Sequence, residues 1–164
     1  MAEITEEAVL EGVRAELALI PERAGPAKEE DWTAHATRLM RIARFVLEGR
    51  AAMIEGHPLL AAKAFEKGAA LDETKMMAQL SDPPAWWYPV RRSLAAAELA
   101  GGDNAQAAIQ ARAVLARTPD DPLTLFVLAH AQKAQGQAAE AEQTLARAHS
   151  LWRGHLSDQD LAGA

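Results

Sequence analysis

The sequence predicts an all-α protein built from helix hairpins. Three observations carry that expectation. Alanine supplies nearly a quarter of the 164 residues, and Leu, Glu, Gln, Lys and Arg make up much of the rest, whereas the strand-favouring Val, Ile and Thr are scarce. Apolar residues recur at helical spacing in segments cut off by Gly and Pro. The second half also matches itself at an offset of 34 residues: Leu94 with Leu128, Ala95 with Ala129, Gly102 with Gly136, and Ala107 with Ala141.

Composition excludes several classes of function. The net charge is −6 and the pI about 5.4. A general nucleic-acid surface needs clustered Lys and Arg to displace counterions, so no nucleic-acid partner is expected. With no cysteine there is no disulfide framework, thiolate zinc site or cysteine nucleophile. The start, MAEITEEAVLEG, lacks the basic end and apolar run of a signal peptide. No stretch reaches the ~18 apolar residues of a spanning helix. The expectation is a soluble, cytoplasmic protein with no membrane contact.

Taken in order, Thr5 is placed to cap a first helix, with Glu6 and Glu7 in its first turn to suit the dipole. Ile4 and Val9 have the spacing of a hydrophobic staple. Val9, Val13, Leu17 and Ile20 form one stripe, and Pro21 ends the helix. Residues 1–31 are therefore an N-terminal helix and a polar linker, 21–31. Trp32, Leu39, Ile42, Val46 and Met53 mark a long helix to Glu55, in which Gly49 implies close packing on a neighbour. Gly56-His57-Pro58 is a stop followed by a start. Leu59 to Leu71 returns, with Leu60, Ala64, Phe65 and Gly68 on one side.

Met76, Met77 and Leu80 suggest a short turn before the run Pro83-Pro84-Ala85-Trp86-Trp87-Tyr88-Pro89. A helix from Pro89 ends at Gly101-Gly102, and Ala105 to Arg117 returns, stopping before Pro119. Asp120-Asp121-Pro122 caps the next helix, which runs through Gln135. Gly136 turns the chain, Ala138 to Arg153 returns, and Gly154 is a stop. The repeat domain is thus 32–153, with hairpins at about 32–72, 88–121 and 122–153. Residues 154–164 are a frayed polar tail.

A 34-residue period of helix-turn-helix units resembles the tetratricopeptide repeat. The last unit carries the resemblance best, with Leu125, Leu128, Ala129, Gly136, Ala141, Leu145 and Ala148, and departs from it at Gln132. The middle unit keeps Leu94, Ala95, Gly102, Ala107 and Pro119. The first matches at Phe45, Gly49, Gly56, Ala61, Phe65 and Gly68. The run PPAWWYPVR is similar to a segment ahead of the last repeats in some long bacterial tetratricopeptide proteins. The resemblance implies a right-handed stack of about three antiparallel hairpins behind the N-terminal helix. It also leaves open that the chain is a terminal piece of a longer solenoid.

The function implied is a scaffold that binds a partner protein or peptide, acidic in character, in a concave groove. The family's geometry places Val46, Arg50 and Met53 there from the first unit, Arg92, Ala96 and Leu99 from the second, and Phe126, His130 and Lys133 from the third. The residues expected to touch the partner are Arg50, Met53, Arg92, Leu99, Phe126, His130 and Lys133. An alternative docking patch is Trp86, Trp87 and Tyr88; the plainer reading of that run is packing within the insert. A structural or self-association element is a second reading, and a non-catalytic regulatory subunit of an enzyme a third. His35, His57, His130, His149 and His155 have no metal-ligand spacing, and no phosphate-binding loop or nucleophile motif occurs. No catalytic residue, metal or cofactor is expected.

Overall fold

The computed structural model describes residues 5–20, 32–75, 77 and 86–157. Among them are seven α-helices and no strand: α1 (Glu6–Leu19), α2 (Trp32–Ile54), α3 (Pro58–Asp72), α4 (Val90–Ala100), α5 (Asn104–Leu115), α6 (Pro122–Ala134) and α7 (Ala138–Leu151). The protein is all-α, and its helices pack mainly on their neighbours in sequence. No described helix is long and apolar enough to cross a membrane. Ile4 of the staple, the linker 21–31, the side chain of Trp32, Met76, Leu80, Pro83, Pro84 and the tail beyond Ser157 lie outside the described residues. The chain divides into two compact units, the first reaching to Val90 and the second beginning at Arg91.

In the first unit, the Ala8 N–H donates to Thr5 Oγ1 at 3.3 Å, which caps α1. The helix packs on α2 but buries none of its residues. It is held by an Arg14–Glu55 ion pair of 2.6 Å and by Arg44, which donates to the Ile20 carbonyl at 2.9 Å.

Helices α2 and α3 pack through Ile42, Val46 and Ala52 on one side and Ala61, Ala64, Phe65 and Gly68 on the other. A Cβ on Gly49 would lie 2.5 Å from Phe65 Cε1, so the absent side chain makes room for the ring. Leu60 does not join this face and is 57% exposed. It lies one residue, about 100° of helical rotation, from the stripe that starts at Ala61. Beyond α3, the Val90 N–H donates to Asp72 Oδ2 at 3.3 Å, a bond within the first unit.

The second unit centres on α6. Thr124, Leu125, Phe126, Val127, Leu128, Ala129, Ala131 and Gln132 are all buried there. At roughly 1.5–3 kcal/mol for each large apolar side chain, this helix contributes far more burial than α1. On one side Val127, Leu128 and Ala131 share a core with Ala95 and Ala96 of α4 and Ala107, Ala108 and Ala111 of α5. Alanine on these faces lets the helices approach closely. On the other side Leu125 and Phe126 pack with Ala148 of α7 and with Leu156. The tail expected to fray therefore contributes a buried leucine. Leu151 ends α7, and the chain past Trp152 folds back to place Leu156 against Phe126.

One turn occurs three times. The Gly56 N–H donates to the Met53 carbonyl and the His57 N–H to that of Ala52. Gly102 and Asp103 repeat this on Leu99 and Glu98, and Gly136 and Gln137 repeat it on Lys133 and Gln132. This is the Schellman closure, which needs a left-handed residue at its centre. The three glycines have φ of 76°, 83° and 79°.

Candidate functional site

The candidate surface residues fall in both units. In the first, Arg50 and Met53 are half-buried on α2. The Arg50 guanidinium carbon lies 6.0 Å from the centre of the Tyr88 ring, at the outer limit of a cation–π contact. Val46, expected on an open face, is buried. The aromatic run splits. Trp86 is 9% exposed, Tyr88 is also buried, and Trp87 is 73% exposed. Trp87 stacks on Trp86 at 4.3 Å between ring centres and meets Tyr88 edge-on at 5.5 Å. The run thus serves packing through two rings and presents the third.

In the second unit, Arg92 is committed to an internal partner. Its Nη1 donates to both Asp121 oxygens, at 3.1 and 3.2 Å, and both side chains are 12% exposed. Asp121 also accepts from Thr124 Oγ1 at 2.6 Å. The sequence suggested a cap here, but the Asp121 side chain does not bond the α6 backbone. The reason is electrostatic: a half-buried guanidinium holds a carboxylate more strongly than a neutral backbone N–H does. Asp121 therefore ties α4 to the start of α6.

Phe126 and Ala96, also expected on an open face, are buried. Phe126 lies under Leu156, with the His130 ring edge-on at 4.6 Å. Leu99 is half-buried against the alanine core. His130 and Lys133 do come together, at a pocket of about 170 Å³ walled by α6 and α7. Its lining is Ala129, His130, Lys133, Ala138, Ala141, Glu142 and Leu145. Lys133 and Glu142 are exposed, and neither side chain makes a hydrogen bond or ion pair with a described residue.

The pocket has an apolar floor, with the Lys133 ammonium on one wall and the Glu142 carboxylate on the other. Among the described residues, no group of three or more His, Asp and Glu could hold a metal ion. Sequence reasoning named His130 and Lys133 but missed Ala138, Glu142 and Leu145, which belong to the returning helix. Carrying the 34-residue register through both helices of a hairpin would have found them. No protein-family model, curated protein or solved structure matches this chain.

Proposed function

We propose that the chain is a protein-interaction module of tetratricopeptide type, a right-handed stack of three helix hairpins that holds an acidic, partly hydrophobic segment of a partner protein. The observation that supports it is the threefold recurrence of one hydrogen-bonded turn, joined to the 34-residue register between α4–α5 and α6–α7. Hairpins with small-residue faces bury a continuous core only by stacking, and stacking leaves helix faces open for ligands. Lys133 in the second unit, with His130 beside it, and Arg50 in the first are the residues of this reading, Lys133 and Arg50 its cations. On a chain of net charge −6 they favour an acidic ligand and set its on-rate more than its final affinity. Arg92 acts in the fold, through Asp121. Trp87 is the alternative anchor.

The experiment is affinity capture from the source cell, followed by association kinetics with the purified partner. Lys133→Glu and Arg50→Glu should each slow association several-fold at low salt, with the difference shrinking as salt rises. Unchanged rates for both, with loss of binding in Trp87→Ala, would move the site to the aromatic run. Failure to capture any partner that survives purification would count against the reading itself.

A further inference from the structure

We infer that Trp87 and Arg50 of the first unit form a seat for an extended, proline-containing segment of a second protein, with a carboxylate about three residues from the proline that stacks on Trp87. This rests on the protein-binding reading and gives its first-unit surface a ligand chemistry. Every residue involved lies in the unit that reaches to Val90.

Trp87 is 73% exposed, although its neighbours Trp86 and Tyr88 are both buried. Trp86 backs one face of the indole, at 4.3 Å between ring centres and 30° between planes, and Tyr88 meets it edge-on at 5.5 Å. The ring therefore stands on a packed aromatic base with its other face turned to solvent. Residues 86–89 belong to no helix, so no periodic apolar stripe runs beside the ring. That favours a ligand that stacks one flat group over one that needs a helical groove.

Arg50 sets the charge. Its guanidinium carbon lies 6.0 Å from the Tyr88 ring centre, so Arg50 and Trp87 are neighbours of the same ring. The Arg50 side chain makes no hydrogen bond or ion pair with a described residue. Three kinds of group lie flat on an indole: a cation, a nucleobase, and a ring of polarised C–H groups such as proline's. Arg50 repels a cation placed beside it. The net charge of −6 opposes a nucleic-acid backbone. Proline carries no charge, and its extended segment loses little entropy on binding.

The spacing fits as well. In polyproline II geometry three residues make one turn and advance about 9 Å, so positions i and i+3 share a face. Trp87 and Arg50 each stand within 6.0 Å of the Tyr88 centre, so they are at most twice that distance apart. Proline at one position stacks on Trp87 while a carboxylate at the other meets Arg50, and that pairing selects the ligand.

The test uses three fluorescein-labelled peptides of equal length and the full chain. The first is a proline run with one glutamate, the second has lysine in place of that glutamate, and the third is an alanine-based helix with the same glutamate. Binding is measured by fluorescence anisotropy and located by the indole N–H resonances of the four tryptophans. The first peptide should bind most tightly and shift the Trp87 resonance. The Trp87 ring is exposed, so Trp87→Ala leaves the fold intact and should weaken binding about tenfold or more. Arg50→Gln should weaken the glutamate peptide by up to about fivefold, flatten its salt dependence and leave the lysine peptide no weaker. Lys63→Gln, at an exposed cation on α3, is the control and should change neither.

Three results overturn the inference. In the first, no peptide binds, or Trp87→Ala binds the first peptide as wild type does. In the second, the alanine helix binds as tightly as the proline peptide, and the occupant is a helix. In the third, an oligonucleotide shifts the Trp87 resonance and the proline peptides do not, and the ring is a base-stacking site. A natural partner that binds wild type and Trp87→Ala alike would remove the seat while leaving the protein-binding reading in place.

Discussion

Replacing Gly49 by alanine sets two effects of known size against each other. In a helix interior, Gly→Ala stabilises by about 1 kcal/mol. At position 49 the new Cβ would lie 2.5, 2.6 and 2.8 Å from three atoms of the Phe65 ring. Phe65 is buried between α2 and α3, so the ring has little room to move. Overpacking of this kind costs roughly 1–3 kcal/mol, and three contacts this short place the cost in the upper part of that range. The net expectation is destabilisation by about 1–2 kcal/mol, read by urea unfolding followed by circular dichroism. Gly12→Ala is the control, because nothing lies within 4 Å of its Cβ position. It should stabilise by up to about 1 kcal/mol. Phe65→Leu removes Cε1 and Cζ, the two nearest of these atoms, so combining it with Gly49→Ala should cost less than the sum of the two changes, by about 1 kcal/mol or more. If Gly49→Ala stabilised the protein as Gly12→Ala does, the close approach of α2 to α3 would be wrong.

Four further outcomes follow from the packing. Asp121→Ala removes a carboxylate partner of the mostly buried Arg92 and should destabilise the second unit by about 1–3 kcal/mol, whereas Arg92→Met with Asp121→Leu together should recover much of that in the same unfolding assay. Phe126→Ala should cost roughly 3–5 kcal/mol if the ring is interior, and well under 1 kcal/mol if it is a surface contact. The Arg14–Glu55 pair is exposed, at 64% and 32%, so a double-mutant cycle should return less than about 1 kcal/mol. With no buried residue, α1 should also exchange its amides well before α6 does.

Much of this fold was legible in the chain because glycine and proline mark its turns. Gly56, Gly102 and Gly136 announced three helix ends, and each has the positive φ that the turn needs. Pro58 and Pro122 announced two helix starts. Gly49 announced a close approach, although not that Phe65 is what approaches. The candidate site was harder to read. Arg92 and Asp121 are 29 residues apart, and nothing in local spacing reveals that they pair. A charged residue on a helix face reads as exposed until its partner is known, which is why Arg92 looked like a ligand contact. Phe126 looked open because Leu156, which covers it, sits in a polar tail with no periodicity. Leu60 failed for a simpler reason: apolar residues at the start of α3 outnumber the positions on its buried face.

The central claim is that the register-matched positions 108 and 142 have different surroundings, Ala108 lying buried beneath α6 and Glu142 standing exposed on α7. Two register-matched substitutions test it. Ala108→Glu places on α5 the side chain that stands at position 142, and Glu142→Ala does the reverse on α7. Ala108 is 1% exposed beneath α6, so a glutamate there is a buried, unpaired charge. It should destabilise by about 3 kcal/mol or more, while Glu142→Ala should change stability by less than about 0.5 kcal/mol. Equal effects from the two substitutions, measured by urea unfolding, would contradict the account.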